Sequence, residues 1–166
     1  IFGAGAGYAP PPAIDDSWNF YFVRGPLTCE ALGIDSKYAI TDSGALVRTL
    51  YKAPTSSNLT QYGFMPHYQS AFSGNWKQIC KNLDIKYIDP TNSVDSILAS
   101  ITSVEILLTE AMHGAIIADA LRVPWIPLKL YDHILDFKWR DWCLSLELPY
   151  EPQNIPSLWD NSSQNT

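Results

Sequence analysis

The stretch from Glu105 to Leu130, EILLTEAMHGAIIADALRVPWIPLKL, reads without a break as strand, turn, helix and second strand. Ile106, Leu107 and Leu108 form the short apolar run of a strand covered on both faces, and Thr109 and Glu110 close it with polar groups. Apolar residues then recur at helical spacing at Met112, Ile116, Ile117, Ala120 and Leu121. Asp119 and Arg122 occupy the other side, and Pro124 stops the helix. Trp125 to Leu130 resumes as a strand. A parallel strand-helix-strand unit holds its ligand at the carboxyl end of the first strand, where the helix start offers unpaired N–H groups and the positive end of its dipole. His113 falls at that place.

A lone histidine beside an apolar helix is more often packed or solvated than reactive, so position alone gives His113 no role. Its neighbours add to the case: Gly114 would let a ligand approach the backbone closely, and Glu110 brings a carboxylate from the same turn.

A chain of 166 residues can bury one substantial core. With 46% hydrophobic and 17% charged residues it carries more apolar surface than a free-standing domain needs, and part of that surface is expected to meet another body. The net charge of −6, with no cluster of Lys or Arg, argues against electrostatic capture of nucleic acid or anionic lipid as the main activity. Cys29, Cys80 and Cys143 are odd in number and lack metal-ligand spacing, as expected of reduced thiols in a cytoplasmic protein. Neither a membrane span nor a signal peptide is legible.

The opening IFGAGAGY invites a dinucleotide reading that it does not sustain. The third Gly comes one place early, Tyr8 stands where it should be, and prolines follow at Pro10 to Pro12. Gly5 and Gly7 are still candidates for lining a cleft. Trp18 to Val23 is expected to be a strand delivering Arg24, followed by a helix over Leu27 to Leu32 closed by Gly33 and a strand over Lys37 to Thr41 ending in Asp42. A helix over Leu46 to Tyr51 and a loop over Ala53 to Tyr62 come next. Gly63 to His67 then reads as a buried strand emptying into His67. Trp76 to Leu83 is a helix, Ile85 to Ile88 a strand, and Ser93 to Ser103 a helix with Ser93 as its N-cap. Asp136 to Leu146 forms an amphipathic helix, and the tail from Pro149 is expected to fray.

Alternation of strands and helices from Gly63 to Leu146 predicts a Rossmann-like, doubly wound α/β domain with a parallel sheet. His67, Glu110 and His113 all fall at carboxyl ends of its strands, the edge where such folds bind ligands. The expected organisation is the end of an N-terminal lobe and an interlobe segment over residues 1–62, a C-terminal Rossmann-like lobe over 63–148 and a flexible tail over 149–166.

Taken as a set and in order, FGAGAGY, FYFVRGPLT, ITDSGALV, FMPHYQS and LLTEAMHGAIIADALRVPWIP resemble the bacterial polysaccharide pyruvyltransferases, in particular the ketal-pyruvate transferases of exopolysaccharide synthesis. The resemblance implies transfer of a pyruvyl group from phosphoenolpyruvate to two hydroxyls of a sugar in a lipid-linked oligosaccharide. It further implies a two-lobe enzyme of the GT-B glycosyltransferase type, of which this chain would hold the end of the first lobe and the whole second lobe, the rest of the N-terminal lobe being missing. A lipid-linked acceptor would place it in the cytoplasm at the inner face of the plasma membrane. The His of the family's arginine-leucine-histidine motif falls on His113, its Leu becomes Met112 and its Arg becomes Ala111, which cannot pair with a phosphate or carboxylate. Arg24, in the segment matching another arginine motif, becomes the candidate for that pairing, with His67 a further site residue.

Ketal formation needs a proton delivered to the enol methylene, a base for the hydroxyl protons and donors for a dianionic phosphate. His113, His67 and Glu110 are the candidates for proton transfer, with their roles left open. Arg24, Met112, Gly114, Gly5 and Gly7 are the candidates for binding. These residues call for no metal and no cofactor besides phosphoenolpyruvate as donor substrate. Two other readings stand beside this one: a nucleotide-sugar glycosyltransferase of the same fold, with Glu110 gripping a ribose, and a non-catalytic binding lobe.

Overall fold

The computed structural model describes residues 1–54 and 58–155. Its centre is a five-stranded parallel sheet of β3 (Thr60–Met65), β4 (Lys86–Tyr87), β5 (Val104–Thr109), β6 (Trp125–Lys129) and β7 (Gln153–Asn154), in the order β4-β3-β5-β6-β7. Four helices connect them in turn: α3 (Trp76–Asn82), α4 (Val94–Ile101), α5 (Met112–Ala120) and α6 (Asp136–Ser145). The chain steps outward from β3 to β4, then crosses back to place β5 on the other side of β3. That reversal is a topological switch point, and it opens between β3 and β5. Neighbouring side chains on β5 face opposite layers. Leu107 belongs to a core with Ile101 and Ala118, whereas Leu108 packs against the cluster of Phe64, Trp76 and Cys80. Helices therefore cover both faces, as the alternation in the sequence predicts.

Two boundaries differ from expectation. β3 begins at Thr60, inside the stretch read as a loop, because Thr60 and Tyr62 pair in register with Val104 and Ile106. The tail expected to fray from Pro149 instead supplies the edge strand β7, whose Gln153 and Asn154 pair with Leu128 and Lys129. Those two residues are polar and exposed, so no hydrophobic pattern announces the strand; backbone pairing to β6 makes it. The part of that tail beyond residue 155 lies outside the described residues.

The first third of the chain forms a small layer of its own. β1 (Phe2–Ala4) pairs in parallel with β2 (Phe22–Val23), followed by α1 (Pro26–Leu32) and, after turns over Ser36–Tyr38 and Ser43–Leu46, the short α2 (Val47–Leu50). The strand expected over Trp18 to Val23 keeps only its last two residues. In place of the strand expected over Lys37 to Thr41 there is a 3-10 turn over Ser36–Tyr38 and a single bridge, Ala39 to Val23. Local β-propensity was present in both stretches, but the first pairs only with the three-residue β1 and the second makes a single bridge. This layer packs on the main domain through α1 against α6 and the Ser43–Leu46 turn against α5.

Candidate active site

The carboxyl ends of the strands converge as the fold rule requires, and a buried carboxylate holds them together. Glu110, just past β5, is 0% exposed. Its Oε2 accepts from the backbone N–H of His67 beyond β3 at 3.1 Å, and its Oε1 from that of Leu130 beyond β6 at 3.2 Å. One side chain thus closes three strand ends. Glu110 lies in the wall of the cavity beneath them, but both its oxygens are engaged, so its position suits holding His67 in place better than exchanging protons.

That cavity, of about 260 Å³, fills the switch point. Met65, His67 and Tyr68 line it from β3, Ala111, Met112 and His113 from the first turn of α5, and Lys138 from α6. The His67 ring stands against Tyr68 and His133, with centroids 4.6 and 5.4 Å away, and its buried Nδ1 has no hydrogen-bond partner. Burial lowers the His67 pKa, and positive charge at His133 and Lys138 adds to the effect. Met112 lines the cavity while its side chain belongs to an apolar core with Trp139 and Trp142, so it forms a floor.

A second, larger cavity of about 640 Å³ lies between the glycine-rich opening segment and α5, with Gly5, Gly7, Trp18, Phe20, Arg24 and Asp42 in its wall. His113 faces both cavities. Its side chain is 63% exposed, with Nε2 3.8 Å from the buried carboxylate of Asp42. The enclosing walls depress its pKa. Asp42 opposes that shift, and the charges of Lys138 and Arg24 reinforce it. The lowered pKa favours the neutral imidazole, the form able to accept a proton.

The surroundings of the further candidates are specific. Arg24 reaches the wall of the larger cavity but is 3% exposed, and its guanidinium is engaged within the protein. Nε donates to Asp141 Oδ2 at 2.9 Å and Nη2 to the Ala6 carbonyl at 2.6 Å. Asp141 also accepts from Thr28, through its N–H at 2.9 Å and its hydroxyl at 2.5 Å. Two of the guanidinium nitrogens, Nε and Nη2, are thus held by Asp141 and the backbone. At Gly114, which lines neither cavity, a Cβ would lie 2.7 Å from Thr109 Oγ1 and 2.9 Å from Met65 Sδ, so it lets α5 pack against β3 and β5. Gly5 likewise makes room for the Arg24 guanidinium. Gly7 alone of the three is open, with only the Lys138 stem nearby at 3.5 Å.

The pattern of the polysaccharide pyruvyl transferase family matches residues 13–132. The chain belongs to that family. It is 35% identical over 158 residues to the succinoglycan biosynthesis protein ExoV of Rhizobium meliloti (strain 1021), an alignment that covers 94% of this chain and 50% of that protein. The chain thus spans about half the length of the curated relative it matches. No solved structure matches it. Of the candidates, Arg24, His67, Glu110, Met112, His113 and Gly114 fall inside the span matched to the pyruvyl transferase family, while Gly5 and Gly7 lie before it.

Sequence reasoning passed over Lys138, which lines both cavities, and treated Asp42 as an ordinary strand end. Lys138 carried a usable signal: it lies in the first turn of the helix that follows β6, the same edge that holds His67 and His113. Among the described residues no three His, Cys, Asp or Glu side chains gather as metal ligands, and no helix is long and apolar enough to cross a membrane.

Proposed function

We propose that the protein carrying this chain transfers a pyruvyl group from phosphoenolpyruvate to two hydroxyls of a sugar in an exopolysaccharide repeat unit. The observation that carries this reading is the position of His113 on the shared wall of two cavities, beside Asp42 and at the start of a helix. A two-substrate transfer needs two sites that meet at the reacting atoms. Membership of the pyruvyl transferase family and the likeness to a succinoglycan biosynthesis protein support the same class of reaction.

The enol methylene of the donor takes up a proton, giving an oxocarbenium-like centre at C2, and the first hydroxyl adds there as its proton leaves. Phosphate then departs with its bridging oxygen, and the second hydroxyl closes the ketal as its proton leaves. One hydroxyl proton balances the new methyl group and the other leaves with phosphate. Neutral His113 accepts a hydroxyl proton, and His67 stands across the smaller cavity as its counterpart. Residues 63–148 serve in this reading as the second lobe of a two-lobe enzyme acting in the cytoplasm, where a lipid-linked acceptor is met at the membrane surface.

The test is release of inorganic phosphate from phosphoenolpyruvate by the whole protein, with and without the lipid-linked oligosaccharide. Acceptor-dependent release with a ketal signal in the product is the expected result. Thermal stabilisation by a nucleotide sugar, with none by phosphoenolpyruvate, would instead identify a glycosyltransferase.

A further inference from the structure

Three residues, Tyr8, His113 and Lys138, line both cavities. Lys138 is the cation among them. Its backbone N–H donates to Leu135 O at the start of α6, and its stem passes over Gly7, where the absence of a side chain leaves it room. Its Nζ ends 4.7 Å from the centre of the Tyr8 ring. Among the described residues Lys138 takes part in none of the ion pairs, in contrast to Lys37, Lys77 and Lys129. A half-buried ammonium whose near partner is a ring face can take an anion without first breaking an ion pair.

We infer that Lys138 binds the phosphate of the donor at the junction of the two cavities, with the donor in the smaller cavity and the sugar in the larger one. This rests on the pyruvyl-transfer reading and assigns its substrates to places. A cavity of about 260 Å³ suits a three-carbon phosphate. The larger cavity, about 640 Å³ with Tyr8, Trp18 and Phe20 in its wall, has the size and the aromatic faces for a sugar ring. Burial and the charge of Arg24 lower the Lys138 pKa while Asp42 raises it, so the ammonium has reason to gain an anionic partner. Arg24 lies behind, bound to Asp141, and adds positive potential without contact. Lys138 lies beyond the residues matched to the family, so the assignment concerns this chain's own residue.

The experiment compares the whole protein with its Lys138→Met and Lys138→Arg variants by calorimetric titration with phosphoenolpyruvate and by steady-state kinetics. Lys138→Met should weaken phosphoenolpyruvate binding about 10- to 100-fold, as loss of one charge-assisted contact predicts. Lys138→Arg should recover most of it, and KM for the acceptor should stay unchanged in both. A structural role for Lys138 would move both substrates together. A second arm needs no variant: acetic anhydride labelling of the wild-type protein, read by peptide mass spectrometry, should spare Lys138 when phosphoenolpyruvate is bound and not when only acceptor is present. Unaltered phosphoenolpyruvate affinity in Lys138→Met, or labelling of Lys138 indifferent to phosphoenolpyruvate, overturns the inference and leaves pyruvyl transfer standing. Absence of phosphoenolpyruvate binding by the wild-type protein overturns both.

Discussion

Asp141 holds Arg24 across 117 residues of sequence, with 2.9 Å between Oδ2 and Nε and both side chains buried. This ion pair, with Thr28 and the Ala6 carbonyl as further partners, ties the glycine-rich segment and α1 to α6. It thereby sets the distance between the walls of the larger cavity.

Breaking the pair should be read first as a loss of stability. Asp141→Ala leaves a buried guanidinium without its carboxylate, at a cost of about 3–5 kcal/mol. Arg24→Lys keeps the charge but loses the planar fork, and should destabilise by a smaller amount in the same direction. Urea unfolding of both variants provides the check, and an unchanged midpoint for Asp141→Ala would show that the pair does not support the fold.

Glu110→Gln should separate positioning from chemistry. The amide keeps one acceptor oxygen but turns an NH₂ toward the N–H of His67 or Leu130, costing about 1–3 kcal/mol for an unsatisfied buried group. Turnover should fall because His67 moves, whereas the pH dependence of the remaining activity should keep its shape. Disappearance of one limb of the profile would instead make Glu110 a proton-transfer group.

Gly114→Ala adds a methyl group 2.7 Å from Thr109 Oγ1 and 2.9 Å from Met65 Sδ. Such overpacking is expected to cost about 1–3 kcal/mol as α5 is pushed from the sheet. A melting temperature equal to that of the wild type would mean that the helix adjusts freely.

His113→Gln should preserve the circular dichroism spectrum and lower turnover by roughly 10²–10⁴-fold, the range for loss of a general acid-base group. The depressed pKa of His113 puts the acid limb of kcat/KM below the ordinary histidine value of 6.5. Asp42 raises that pKa, so Asp42→Asn, which keeps the acceptor for the Gly44 N–H, should move the limb to still lower pH. A limb that stays in place in Asp42→Asn would remove His113 as the titrating group. Stability follows the same sign at His67: its folded pKa lies below the unfolded value, so its contribution is complete above pH 6.5 and is lost as pH falls through the depressed value.

The parallel βαβ unit over Glu105 to Leu130, and the carboxyl edge that holds His67, Glu110 and His113, were legible because each element carries its own period and its own stop signals. α4 even begins at the predicted cap, with Ser93 accepting from Ser96 N–H. β7 was not legible. Its residues are exposed and polar, and pairing to β6 alone makes them a strand.

What the residues do at the site was decided by the tertiary structure. By itself the sequence determined which groups reach the carboxyl edge of the sheet, since strand ends and helix starts are local properties of the chain. The engagement of Arg24 by Asp141, the closing of three strand ends by Glu110 and the crowding around Gly114 depend on partners 117, 43 and 20, and 5 and 49 residues away. Lys138 meets Tyr8 at the junction of two cavities only because α6 packs beside the glycine-rich segment. A charge shows its role through what neutralises it, and in this chain the neutralising groups come from distant segments that folding brings together.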